Sequence, residues 1–330
     1  MAIDLLALEP TVITRDLSNK YILLAAPVKY GKTTFMCNIP GAVILSFEPG
    51  LNAHAGVYAQ TITTWSEVKQ VVRQLKDPKV REKFHTVCFD TVDLAASLCQ
   101  DFVCAQAGVQ SLSDVPYGKL YKVYELEFQK TLLAIANLGY GMVFACHTEE
   151  KEYEVGDEKK VIARIQPKLE KRAFAIVNRL VDIIGIGIME FDENGEAHHV
   201  LYTRETPTIC AGNRFTYFPS KIEFSYQAVL DNLIKAIEAE GTNNNATIVD
   251  KIDKEIKEIN FEELSEEAKD LWIKNLEKGQ TDEEKQEIRN RILKKIEITF
   301  GRKIERLSDI TEDQVELLEL AVLEMKNMLK

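Results

Sequence analysis

Eight residues, Ala26-Pro27-Val28-Lys29-Tyr30-Gly31-Lys32-Thr33, constrain this chain more than any other stretch. They follow a short apolar run, Tyr21–Ala25, and precede a helical pattern that opens at Lys32. Strand, loop and helix in that order read as a phosphate-binding loop, with Ala26 where glycine usually stands. Successive backbone N–H groups and a helix N-terminus converge on one spot and favour an anion there. Gly31 has no Cβ, so the backbone can approach a phosphate closely. Lys32 would neutralise the β- and γ-phosphates, and the Thr33 hydroxyl would ligate Mg²⁺. Thr34 closes the run of candidate phosphate contacts. The alternative is a lysine and two threonines at an ordinary helix start.

Phosphate chemistry needs more than a cradle: a carboxylate near Mg²⁺, a base for water and a sensor of the γ-phosphate. Ligands of open α/β sheets sit beyond the carboxyl ends of the strands. Val87-Cys88-Phe89-Asp90 is an apolar run ending in an acid, the Walker B pattern, which makes Asp90 the candidate magnesium carboxylate. Asp93 either neighbours it in the site or is an acid favoured by a helix N-terminus. Ile44–Phe47 ends at Glu48, placed to orient and deprotonate water, or else to open the Pro49-Gly50 turn. Met142–Cys146 ends at His147, a candidate γ-phosphate sensor or an ordinary surface histidine.

Apolar runs at Tyr21–Ala25, Ala42–Phe47, Thr86–Phe89, Gly141–Cys146 and Val181–Ile188 alternate with amphipathic patterns such as Trp65–Leu75 and Tyr121–Leu138. That alternation predicts an α/β fold with a mostly parallel sheet covered on both faces. From Ile183 the pattern changes to consecutive strands, Ile183–Phe191, Ala197–Tyr202 and a third near Thr206–Ala211. Asp192-Glu193-Asn194-Gly195 supplies the first turn, so an antiparallel extension is expected. A helix over Tyr226–Glu240 closes a core spanning 1–241. Gly241–Ala246 reads as a linker. The remainder, 242–330, is predicted to be α-helical, with helices near 247–258, 262–277, 281–298 and 312–329 and N-caps at Ser265, Thr281 and Thr311.

The 330 residues carry a net charge of −11, so the surface as a whole should not attract nucleic acid. The cysteines at 37, 88, 99, 104, 146 and 210 form no close pair and read as buried thiols. No apolar stretch is long enough to span a bilayer, and the N-terminus lacks the basic start of a signal peptide, so no membrane contact and a cytoplasmic location are expected.

The segments "AVILSFEPGLNAHAGVYA", "VCFDTVD" and "MVFACHTEEKE" resemble the RecA-like P-loop ATPases over about residues 20–240. They match the family's catalytic glutamate at Glu48, its Walker B acid at Asp90 and its γ-phosphate sensor at His147, where RecA itself usually has Gln. The chain is most similar to phage-encoded members that assist single-strand annealing and recombination. It shares with them Pro27, Lys29, Gly31, Lys32 and Thr33, the strand Val181–Gly185, and the segment Asn213-Arg214-Phe215-Thr216-Tyr217-Phe218-Pro219. The resemblance implies ATP and Mg²⁺ as cofactors, DNA-stimulated ATP hydrolysis, a homo-oligomer, single-stranded DNA as ligand, and a single-stranded-DNA-binding protein or other recombination partner. If phage-encoded, it would act in the host cell cytoplasm.

In such proteins the loop after the sensor strand contacts DNA, and here it carries Lys159, Lys160, Arg164, Lys168, Lys171 and Arg172. A solvated hairpin tip is the alternative. Tyr117, Tyr121 and Tyr124 would stack on bases or belong to the core. The family places nucleotide between subunits, which makes Arg204 or Arg214 a candidate cation acting in trans, or a structural ion pair. The apolar last helix, Val315–Met325, must bury its face in the tail, a second subunit or another protein. A rival function is a nucleotide-gated assembly or regulatory module that works through the helical tail without DNA.

Overall fold

The short apolar runs become strands because their β-branched and aliphatic side chains can be buried on both faces of one sheet. The computed structural model describes residues 12–51, 54–155, 160–244, 247–249, 261–304 and 306–329. They fall into two units, one within Glu9–Lys254 and one within Glu255–Lys330.

In the first unit, β1 (Val12–Thr14) precedes the fully apolar β2 (Tyr21–Ala25). The phosphate-binding loop leads from β2 into α1 (Lys32–Cys37). β3 (Ala42–Ser46), β4 (Ala59–Thr61), α2 (Trp65–Gln74) and α3 (Pro78–Lys83) follow. Then come β5 (Thr86–Asp90), α4 (Val92–Ala107), α5 (Lys119–Asn137) and β6 (Gly141–Cys146). A hairpin of β7 (Thr148–Val155) and β8 (Lys160–Pro167) leads to α6 (Lys171–Leu180). β9 (Ile183–Phe191) and β10 (Ala197–Tyr202) form a second hairpin. β11 (Gly212–Asn213), β12 (Lys221–Glu223), α7 (Tyr226–Asn244) and β13 (Thr247–Val249) complete the unit.

The main sheet has the order β12-β10-β9-β2-β6-β5-β3-β4, with β11 beside β9. The strands from β9 to β4 run parallel, and β10, β11 and β12 are antiparallel additions. Register brings strand ends together: Ser46 lies opposite Asp90, Asp90 opposite Ala145, and Cys146 opposite Ala25. Ile22, Leu24, Ile44 and Val143 face a core shared with Phe35 and Met36 of α1 and Val229 and Leu233 of α7. Their neighbours Leu23, Phe89 and Phe144 point to the other face. There Phe89 and Phe144 meet ring to ring at 5.1 Å, and Trp65 of α2 meets Phe128 of α5 at 5.7 Å.

The structure departs from the sequence reading in four places. Thr206–Ala211 is not a strand: Pro207 lacks a ladder donor, Thr206 and Ile209 close on each other, and only Ile209 bridges to Ile165. Residues 247–249 are not helical; Thr247-Ile248-Val249 is β-branched and pairs parallel with Val12-Ile13-Thr14. The rest of the helix expected over 247–258 lies outside the described residues. Helix α7 continues to Asn244, through part of the expected linker. Ser265 lies inside a helix and caps nothing.

That helix, α8 (Phe261–Leu276), packs with α9 (Asp282–Phe300) and α10 (Val315–Leu329) in the second unit. Leu271, Ile292, Ile296, Leu318, Val322 and Met325 form its core, so the apolar face of α10 is buried within the tail itself. Thr281 does cap α9, in a reciprocal box with Glu284. The buried Asn275 donates to the carbonyls of Leu271 and Met325 and ties α8 to α10. No helix among the described residues is long and apolar enough to cross a membrane.

One side chain fixes the phosphate-binding loop to the antiparallel extension. Tyr30 is buried, stacks on His199 at 4.3 Å and meets Phe224 edge-on at 4.9 Å. Its hydroxyl accepts from the Val200 N–H at 2.9 Å and donates to the Val200 carbonyl at 3.2 Å. Gly187 leaves room for it: a Cβ there would lie 2.7 Å from the Tyr30 ring and 2.8 Å from Ala26 Cβ. Burial raises the Tyr30 hydroxyl to about 12. An unfolded tyrosine titrates near 10. The folded state therefore holds this proton more tightly, and Tyr30's contribution is complete below pH 10 and lost as pH rises towards 12.

Tyr30→Phe, which leaves both Val200 groups unpartnered, should cost about 1–3 kcal/mol in urea unfolding at neutral pH and remove this part of the alkaline loss. Gly187→Ala should cost about 1–3 kcal/mol in the same measurement, because the added carbon displaces the loop.

Candidate functional site

The aligned ends of β2, β6, β5 and β3 carry the polar side chains that the sequence singles out. Gly31 takes φ +106°, a conformation that L side chains rarely adopt, and opens α1 directly after the loop. Lys29 is also left-handed at φ 61°, with its side chain exposed. These two backbone reversals wrap the loop around the end of β2. Val28 is exposed and Ala26 buried; Pro27, Lys29 and Thr34 lie on the open side.

Lys32 is buried beneath the loop. Its Nζ donates to the carbonyls of Ala26 at 2.9 Å and Pro27 at 2.8 Å, and lies 3.3 Å from Nδ1 of His147. Burial pulls the ammonium below its ordinary range, while Cys146, Asp90, Glu48 and Asp93 push it back up. A negatively charged ligand at this spot would restore the charged form fully. His147 follows β6, and its carbonyl accepts the Lys168 N–H at 2.7 Å, which ties the base of the β7–β8 hairpin to the site.

Asp90 ends β5 and is nearly inaccessible; the Asp90–Thr91 peptide is cis. Thr33 Oγ1 donates to its Oδ2 at 2.7 Å, whereas Oδ1 is buried with no hydrogen-bond partner. Burial raises its carboxyl, against the pull of Thr33, Lys32 and His147. A hydroxyl and a carboxylate in contact, with one carboxylate oxygen unused, are the hard oxygen donors that Mg²⁺ selects. The residues present therefore fit that ion. Glu48 follows β3 on a backbone pinned to the same place: Phe47 N–H donates to the Asp90 carbonyl at 2.7 Å and Ser46 Oγ to the Glu48 carbonyl at 2.8 Å. Its carboxylate is close enough to act on Lys32.

Arg214 does not join this group within its own chain. It pairs with Asp182 at 3.1 Å and donates to the Arg179 carbonyl at 2.6 Å. Asp182 in turn accepts the N–H of Tyr21, at the start of β2, roughly 13 Å along the strand from its site end. Arg204 is engaged by the carbonyls of Phe215 and Thr216.

The basic residues of the hairpin region divide. Lys159 lies outside the described residues. Lys160 and Arg164 are on β8, and Arg164 ion-pairs with Glu205. Arg172 pairs with Glu125 at 3.1 Å and lies 4.2 Å over the Tyr121 ring. Lys171 lines a groove of about 350 Å³ between α5 and α6, with Lys122 and Arg179. Tyr124 is core, while Tyr117 is 96% exposed.

One contributor escapes sequence reasoning, and another is read there only as a loop residue. Tyr30 stands in the run of candidate phosphate contacts, yet its side chain is buried against β10. Gly187 carries a readable signal, since glycine inside an apolar strand marks a close backbone approach.

The family model described as "AAA domain" matches residues 18–215, from just ahead of β2 to just past β11. The SPbeta prophage-derived uncharacterized protein YorG of Bacillus subtilis (strain 168) is 28% identical over 334 residues. That alignment covers 96% of this chain and 99% of that protein.

Lys32→Ala should abolish nucleotide binding, measured with a fluorescent ATP analogue. Glu48→Gln should keep binding and lower steady-state phosphate release about 10²–10⁴-fold.

Proposed function

The chain belongs to the AAA domain family of P-loop proteins, and from that premise we propose an ATPase that couples nucleotide state to its grip on single-stranded DNA in phage-type recombination or annealing. Nucleotide binding and hydrolysis are the family's chemistry. The observation that carries the reading is the contact of Thr33 with Asp90 beside the buried Lys32–His147 pair, at the end of the parallel strands.

The residues divide the work. Loop N–H groups and Lys32 would hold the β- and γ-phosphates. Thr33 and Asp90 would hold Mg²⁺, which when bound neutralises phosphate charge and orients the chain for attack. Glu48 would take the proton of the attacking water. His147 would hydrogen-bond the γ-phosphate and release it after cleavage. The arrangement favours a RecA-like core, because β6 with its polar end lies between the loop strand and the acidic strand.

The route to DNA rests on the Lys168–His147 hydrogen bond, which makes the β7–β8 hairpin a neighbour of the sensor. Lys168 and Lys171 then offer phosphate contacts on that side, with Lys159 and Lys160 in the same segment of sequence. The prophage-derived relative supports a phage setting. Oligomers with nucleotide between subunits, and a single-stranded-DNA-binding protein as partner, belong to the same reading.

One observation favours a second reading, a nucleotide-gated module without DNA. Arg164 and Arg172 are already neutralised by Glu205 and by Glu125.

Titration with a labelled single-stranded oligonucleotide, with and without ATP and at two salt concentrations, tests the choice. Binding that depends on ATP and weakens as salt rises is expected. Reversal of Lys168 and Lys171 to Glu should lower it about tenfold or more without changing nucleotide affinity. No binding in any nucleotide state would leave the gated module.

A further inference from the structure

The Mg²⁺ site described above leaves one nearby acid without a role. Asp93 stands in the first turn of α4, two residues after the N-cap position Thr91. An acid there ordinarily serves the helix, by accepting free N–H groups or by facing the positive end of its dipole. Here it does not cap. Its Oδ1 is buried and has no hydrogen-bond partner, and Thr91 makes no side-chain cap either.

Its neighbours explain the position better than the helix does. Asp93 acts electrostatically on Lys32, on Asp90 and on Cys146 at the end of β6. Standing three residues after Asp90, where β5 turns into α4, it lies within electrostatic reach of the loop lysine and the acid of β5. Two further oxygens in this corner, Asp90 Oδ1 and Thr91 Oγ1, are also buried and unpartnered, on residues 2% and 0% exposed. Buried acceptors without donors are costly, and two carboxylates within electrostatic reach of each other repel. A hydrated divalent cation removes both costs, since it supplies positive charge and its waters supply donors. Mg²⁺ in particular keeps several waters when it binds protein.

We propose that Asp93 is an outer carboxylate of the magnesium site, accepting hydrogen bonds from water carried by the ion that Thr33 and Asp90 hold. The inference rests on the ATPase reading and adds a residue to it. Asp93 is a positioning residue: it acts on the ion through water, and Glu48 keeps the role of base. Its effect should appear in the magnesium dependence of nucleotide binding, not in nucleotide affinity without metal.

The test uses the full chain and a fluorescent ATP analogue, titrated with MgCl₂ from an EDTA-treated start. Asp93→Asn should bind the analogue in EDTA as wild type does. Its magnesium midpoint should rise about tenfold or more, the usual effect of losing such an outer partner. Mn²⁺ bound in the nucleotide complex, read by electron paramagnetic resonance, should weaken in parallel. Asp93→Ser, smaller and still polar, should behave the same way and guards against a folding defect in one variant. Midpoints within twofold of wild type in both variants overturn the inference and leave the ATPase reading standing. A wild-type protein that binds no analogue at any magnesium concentration overturns both.

Discussion

Parallel pairing of β2, β6, β5 and β3 in one register is the constraint on which the rest depends. Each strand ends in a residue of different chemistry, and the register puts those ends side by side. The loop lysine, beyond β2, then meets His147 at the end of the adjacent β6, and Thr33 meets Asp90 across β6. A slip of one residue in any of these pairings would turn a site side chain into the helical layers. The apolar runs that fix the register, with Ile22, Leu23 and Leu24 buried on both faces of β2, are thus as much part of the chemistry as the polar ends.

The site is also where this protein accepts destabilising groups. Lys32 and Asp90 are buried yet do not form a direct ion pair of hydrogen-bonding distance; the lysine is turned to loop carbonyls and the acid to Thr33. Burial accordingly works against the charged form of both. Interiors tolerate such groups when a ligand completes them, and the bound anion and cation of a metal–nucleotide complex have the signs required. Stability and function therefore draw on the same few residues, as is common for sites arranged in advance of their ligand.

Much of this was legible from local pattern. The strand ends at Glu48, Asp90 and His147 could be found because each closes a short apolar run, and the loop because its residue types have steric and electrostatic reasons. What escaped depends on contacts between distant segments. The partner of Tyr30 is 170 residues away on β10, and nothing near Tyr30 announces it. The strand at 247–249 exists because Val12–Thr14 lies alongside it. Arg214, which the sequence leaves open between a cation acting in trans and a structural ion pair, is held by Asp182 at the other end of β2. Near Thr206–Ala211 the β-branched residues read as a strand, and the missing N–H of Pro207 outweighs them.

The bond between Tyr30 and the edge of β10 has a consequence for how a ligand enters. The middle of the loop is already anchored on the side facing the antiparallel strands, so its conformational entropy is surrendered at folding and not at capture. The opposite flank, Pro27 and Val28, is exposed and is held from beneath through the Pro27 carbonyl and Lys32. One wall of the cradle is therefore set before any ligand arrives, and the approach of a phosphate is fixed by a residue that never touches it.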